Sequence, residues 1–293
     1  MSALEDLLAH ERETPALSQV AGRLGWDQEP VLPAGAAEQR SEEMAAREAA
    51  LHARRSDPKV GEWLAEAAAD GPVDRAQLRE SGRAHTRATK VPARLAAELA
   101  RVTSVAQGEW AAARAADDFA GFAPRLAEVV ALKREEAAAL AGDRTLYDAM
   151  LDDYEPGTTA AELDAMFVSR RPRLVALRGA ILNGPQPTLP ELGRFDAAGQ
   201  LALASELAGL FGYDFERGRI DKAVHPFSSG SGSDVRITTR TDPADPFNCL
   251  YSTLHEVGHA TYEQNIDPAL ALTVLGQGAS IDVHERQSRL YEN

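Results

Sequence analysis

Up to about residue 212, long runs of apolar and strongly helix-forming residues are broken by short punctuation, a texture that predicts successive helices. Pro92 opens a run of Ala, Leu, Glu and Arg that reaches Phe119; a first-turn proline there loses no helical hydrogen bond. A second run from Pro124 stops at Gly142, the expected left-handed cap. Thr159 and Glu162 have the spacing of a capping box, so another helix starts at that point. The three prolines between Asn183 and Gly193 predict a loop or hinge at 183–193, and a further helix then ends at Gly212.

Beyond Gly212 the pattern changes. A Ser- and Gly-rich stretch gives way to alternation, in which Val235 and Ile237 face one side of a strand while Asp234, Arg236 and Thr238 face the other. Asp245 followed by Pro246 then makes an N-cap and first-turn pair for a helix of about five turns through "PFNCLYSTLHEVGHATYEQ".

That helix carries His255, Glu256 and His259. Two histidines four residues apart project from one helix face and can hold one metal at about 2.0–2.1 Å per nitrogen, with Glu256 beside the metal's water. The competing bland reading is a polar stripe on a half-buried helix. A catalytic zinc site needs a third protein ligand and leaves one position to water. Glu263 lies about 12 Å along the axis from His255, too far to share its metal. The break at Asp267-Pro268 and the glycines at 276 and 278 let the chain return as an antiparallel helix beginning near Ile281. That helix would present Glu285, His284 or Asp282 beside the histidines, and chemistry alone does not choose among them.

Composition narrows the partners. The 293 residues carry 45 acidic against 31 basic side chains, a net charge of −14, which disfavours nucleic acid. No apolar run approaches the roughly 18 residues of a membrane span, and the start of the chain lacks a signal-peptide pattern. Cys249 stands alone, excluding an internal disulfide and fitting a reducing cytoplasm; it is expected to be simply buried. His225, in "HPF", and Arg236 are candidates for binding substrate, Arg236 because a guanidinium holds a carboxylate bidentately.

Five pieces occur together and in order: "WDQE" at Trp26 to Glu29, "HPF" at His225 to Phe227, "DVRIT" at Asp234 to Thr238, "HEVGH" at His255 to His259, and "HERQSRLYEN" at His284 to Asn293. In them the whole chain resembles metallocarboxypeptidases of the carboxypeptidase Taq family. The resemblance implies zinc ligands at His255, His259 and Glu285 and a general base at Glu256. Zinc would be the cofactor, with cobalt or another divalent ion an alternative. It also implies peptide substrates cut at the C-terminus, a homodimer, and a mainly α, helical gluzincin-type fold with a small β-sheet beside the HExxH helix. Residues 1–293 are expected to form one peptidase domain, with the metal site in 225–293. Arg286 stands where the family usually has a small residue, and Tyr291 where it has Trp. The family's Ile-Arg-x-x-Ala-Asp and Gln-Asp-x-His-Trp motifs do not occur here, and the arginine of the first is thought to hold the substrate carboxylate. The chain is therefore expected to be the N-terminal portion of that fold. Two other readings stand beside a carboxypeptidase: a metal-binding but inactive fragment or helical binding module, and an HExxH aminopeptidase or endopeptidase.

Overall fold

The computed structural model describes residues 2–188 and 193–293. Eleven α-helices and a three-stranded sheet appear among the described residues. The helices are α1 (Ala3–Gln28), α2 (Ala37–Arg55), α3 (Pro58–Glu66), α4 (Pro72–Lys90), α5 (Ala93–Ala115), α6 (Phe119–Ala141), α7 (Leu146–Leu151), α8 (Ala160–Asn183), α9 (Ala197–Leu210), α10 (Pro246–Gln264) and α11 (Ile281–Glu292). The mainly helical class with a small sheet is as expected. The proposed hinge at 183–193 includes residues 189–192, which lie outside the described residues.

Local signals account for most helix starts. Ser2, Asp118, Thr145, Thr159, Asp196, Asp245 and Ser280 each accept a backbone N–H of the following first turn through their side chains. Thr159 and Glu162 do form the reciprocal capping box. Two boundaries differ from expectation. Pro92 is the N-cap itself rather than a first-turn residue. The run to Phe119 breaks at Asp117, whose φ of 53° turns the chain out of the helix, and Asp118 then caps α6 ahead of Pro124. Gly142 and Gly212 both take positive φ at the ends of their helices.

Two clusters organise the interior. Val91, Leu95, Leu99, Leu140, Ala141 and Ala149 join the start of α5 to the end of α6 and to α7. The second cluster, Ala208, Tyr213, Val235, Ile237, Val257 and Ala260, is the one that positions the site. It fastens α9 and α10 to the central strand of the sheet, whose order is β1 (Ile220–Lys222), β3 (Asp234–Thr239), β2 (Ser228–Ser231). β1 pairs with β3 in parallel and β2 pairs with it antiparallel. Val235 and Ile237 share a fully buried face, as their alternation predicted. Thr238 and Thr239 are buried too, because β3 is the middle strand: Thr238 Oγ1 accepts Phe227 N–H, and Thr253 on α10 donates to Thr239 Oγ1.

Cys249 is buried on α10 with its sulfur 3.8 Å from Thr239 Oγ1, a packing role as expected. α8, in contrast, buries none of its residues, and Leu174, Val175, Ile181 and Leu182 are mostly exposed on it. No helix among the described residues is long and apolar enough to cross a membrane.

Candidate metal centre

The site is made where α11 lies back along α10. Contacts run in opposite order on the two helices: His255 meets Glu292, Gly258 meets Ser288, and Glu263 meets His284. The pair is therefore antiparallel, as the breaks between the helices suggested. Ser280 caps α11 by accepting Val283 N–H, which starts the helix where the sequence placed it. Tyr291 packs against the α9–β3–α10 cluster and against Phe211, with ring centroids 5.6 Å apart, and so anchors the far end of α11.

Gly258 decides how close the two helices come. A Cβ at Gly258 would stand 2.5 Å from Ser288 Cα and 2.9 Å from the Gln287 carbonyl oxygen, so any larger residue would push α11 away. With glycine there, Glu285 Oε2 lies 3.5 Å from His255 Nε2 and 3.7 Å from His259 Nε2. The three donor atoms all fall within 4.8 Å of one another. Ligands about 2.0–2.2 Å from a tetrahedral zinc stand roughly 3.4 Å apart, so two imidazoles and a carboxylate at these separations fit zinc in both chemistry and spacing.

Each of these groups is held from behind. Glu292 Oε2 sits 3.0 Å from His255 Nδ1 and accepts a hydrogen bond from Arg289 Nη1 at 2.8 Å. Ser288, fully buried, donates to Glu285 Oε2 at 2.8 Å. His259 Nδ1 faces His284 Nδ1 at 2.5 Å. Outer partners of this kind fix ring tautomer and orientation in metal sites. Burial and the neighbouring His284 hold the His259 pKa down to about 4, so the ring is neutral near pH 7, the state a ligand needs.

Glu256 is only 6 % exposed. Burial first, then the adjacent Glu285 charge, pushes its pKa up to about 8. It opens onto a cavity of about 480 Å³, lined among others by His225, Arg240, Tyr251, His255 and Arg289. His225 thus lines the same space as His255 and Glu256 of α10. Arg236 is not among the cavity's lining residues. Its guanidinium bonds Asp234 twice, at 2.8 and 3.0 Å, and stacks over Trp26 at 4.5 Å, while Asp234 also accepts from Arg23 of α1 at 2.7 Å. The "WDQE" and "DVRIT" pieces therefore meet as one latch between α1 and the sheet.

Of the two other third-ligand alternatives, Asp282 pairs with the exposed Arg286 at 2.6 Å, and His284 lies behind His259 rather than beside its Nε2. Glu263, set aside as a ligand on distance, reaches His284 Nε2 at 2.8 Å. The partners Glu292, Ser288 and Gly258 were not singled out from the sequence. Glu292 had one signal: it stands a heptad after Glu285 and so shares its helix face.

The family model for the carboxypeptidase Taq (M32) metallopeptidases matches residues 6–293. The chain is 40 % identical over 311 residues to thermostable carboxypeptidase 1 of Thermus thermophilus, an alignment covering 100 % of this chain and 61 % of that protein. Over 179 residues it is 38 % identical to carboxypeptidase 1 of Bacillus subtilis, covering 60 % of this chain and 36 % of the relative. The crystal structure of the M32 carboxypeptidase from Deinococcus radiodurans R1 superposes with a TM-score of 0.85 at 36 % identity, over 99 % of this chain and 60 % of that one. Pyrococcus furiosus carboxypeptidase superposes with a TM-score of 0.86 at 30 % identity, over 100 % and 61 %. The chain thus spans about 60 % of the length of these solved relatives. By the match along nearly its whole length, the chain belongs to the carboxypeptidase Taq (M32) metallopeptidase family.

Proposed function

We propose that this chain forms the metal-binding part of a zinc metallocarboxypeptidase that releases single residues from peptide C-termini. One observation carries the reading: His255, His259 and Glu285 converge on one point beside a cavity onto which buried Glu256 opens. The three side chains would hold zinc, or cobalt or another divalent ion in its place. When bound, the ion supplies Lewis acidity toward the scissile carbonyl and lowers the pKa of a coordinated water towards about 7.

Glu256 would accept a proton from the attacking water and later deliver it to the leaving amine. Its burial next to His255 and its opening onto the cavity place it for this exchange. His225 and Tyr251 flank the space where the peptide lies. For the substrate's terminal carboxylate, Arg236 is the candidate from sequence, but its guanidinium is engaged by Asp234 and Trp26. Arg240 lines the cavity and is held at one edge by its Nε bond to Asn248 at 2.8 Å. Asn248 lies seven residues before His255, about 10 Å along the helix axis. A single C-terminal residue spans at most about 3.8 Å of that distance, so the long arginine side chain would have to supply the rest.

The test is release of the last residue from a peptide with a free C-terminus, compared with its amidated form. Cleavage of both would instead select the aminopeptidase or endopeptidase reading. Glu256→Gln should keep zinc and lose at least about 10²-fold in turnover. The chain's coverage of about 60 % of its relatives favours one second reading, a metal-binding unit without turnover. Zinc bound without any release would select it. We further propose one domain over residues 1–293, cytoplasmic residence and a homodimer; a sedimentation experiment showing only monomer would remove the last of these.

A further inference from the structure

His259 differs from His255 in what stands behind it. Glu292 reaches His255 directly, whereas a second histidine separates His259 from its carboxylate, Glu263. Glu263 is 7 % exposed, and its Oε1 accepts Gly278 N–H at 3.1 Å and lies 2.8 Å from His284 Nε2. The His284 ring is confined between Tyr262 and His259, each 4.7 Å away centroid to centroid. A Cβ at Gly278 would come within 2.5 Å of His284 Cδ2 and 3.3 Å of Glu263 Oε1, so the cradle around this pair needs glycine.

Two imidazole nitrogens 2.5 Å apart share one proton: two lone pairs would repel and two N–H groups would collide. A carboxylate cannot donate, so His284 carries its proton on Nε2 and bonds Glu263 with it. In a neutral His284 ring, Nδ1 is then left as an acceptor. His259 must therefore donate from Nδ1, which leaves the lone pair of its Nε2 facing Glu285 Oε2 at 3.7 Å.

We propose that Glu263 and His284 are positioning residues, a carboxylate–imidazole relay that locks His259 into the tautomer whose Nε2 can bind the metal. This rests on the reading of His259 as a ligand. The relay extends the usual arrangement, in which a carboxylate or carbonyl touches the ligand histidine itself, by one imidazole.

The experiment has two arms on the full chain. Long-range ¹⁵N–¹H correlation spectra of the metal-free, ¹⁵N-histidine-labelled protein should show His259 protonated at Nδ1 and His284 at Nε2. A His259 protonated at Nε2 overturns the proposal without any substitution. In the second arm, zinc affinity is read by competition with a chromogenic chelator. His284→Ala and Glu263→Gln should each weaken zinc binding about 10–100-fold, and His259→Ala should weaken it further. Unchanged affinity in His284→Ala overturns the relay alone. Unchanged affinity in His259→Ala overturns the ligand reading and the relay with it.

Discussion

Gly258 on α10 and Ser288 on α11 are in backbone contact, close enough that a Cβ on the glycine would lie 2.5 Å from the Ser288 Cα. This contact sets the distance of Glu285 from both histidines. Gly258→Ala would relieve the clash only by moving α11, and overpacking of this kind costs about 1–3 kcal/mol. We expect lower stability in urea together with weaker zinc binding. A variant with wild-type zinc affinity would show that Glu285 does not depend on this approach.

Arg236 and Arg240 make opposite predictions. Arg236→Ala removes the two bonds to Asp234 and the stack on Trp26, so it should lower stability by about 1–3 kcal/mol. Arg240→Ala should change stability by less than about 0.5 kcal/mol and raise KM for peptides with a free C-terminus, leaving kcat less affected. If KM instead rises only in Arg236→Ala, the carboxylate is held by the latch arginine.

Glu11 gives a pH prediction away from the metal. Burial is the main cause of its raised pKa, outweighing hydrogen bonds from Ser81 and Gln77. The folded chain therefore holds this proton to higher pH than the unfolded chain does. The group costs nothing below the unfolded value of about 4.3, and its cost grows as pH rises through the folded value. Glu11→Gln should consequently gain stability relative to wild type at pH 7 and lose that advantage at about pH 4. Urea titrations at the two pH values give the comparison; an advantage that grows in acid would reverse the assignment.

Much of α10 was legible because its signals are local. The Asp245 cap, Pro246 and the i, i+4 histidines all lie within one element, and the helix forms as they indicate. The candidate third ligand was not readable from the residues alone, since Glu285, His284 and Asp282 occupy one turn and only the packing of α11 brings Glu285 beside the two histidines. That packing depends on Gly258, whose role is a contact with a segment some thirty positions away. The break between α5 and α6 was expected after Phe119 and falls instead at Asp117, because "AADDF" continues a helical composition and the turn rests on a non-glycine residue with positive φ. β1 and β2 escaped notice for another reason. They are three and four residues long, β2 is all Ser and Gly, and both depend on pairing with β3.

Arg236 shows how a sequence signal can be sound and still incomplete. Its alternation with Val235 and Ile237 placed it on the polar face of β3, and Asp234 two residues before it was the nearest partner in sequence. Trp26 and Arg23 could not be foreseen as its surroundings, because α1 reaches the sheet from more than two hundred residues earlier.

The most direct test of the whole account is anomalous diffraction from crystals of this protein grown or soaked with zinc. The account predicts one strong peak about 2.0–2.2 Å from His255 Nε2, His259 Nε2 and a Glu285 carboxylate oxygen. A peak coordinated by other side chains, or none at these three, would contradict it.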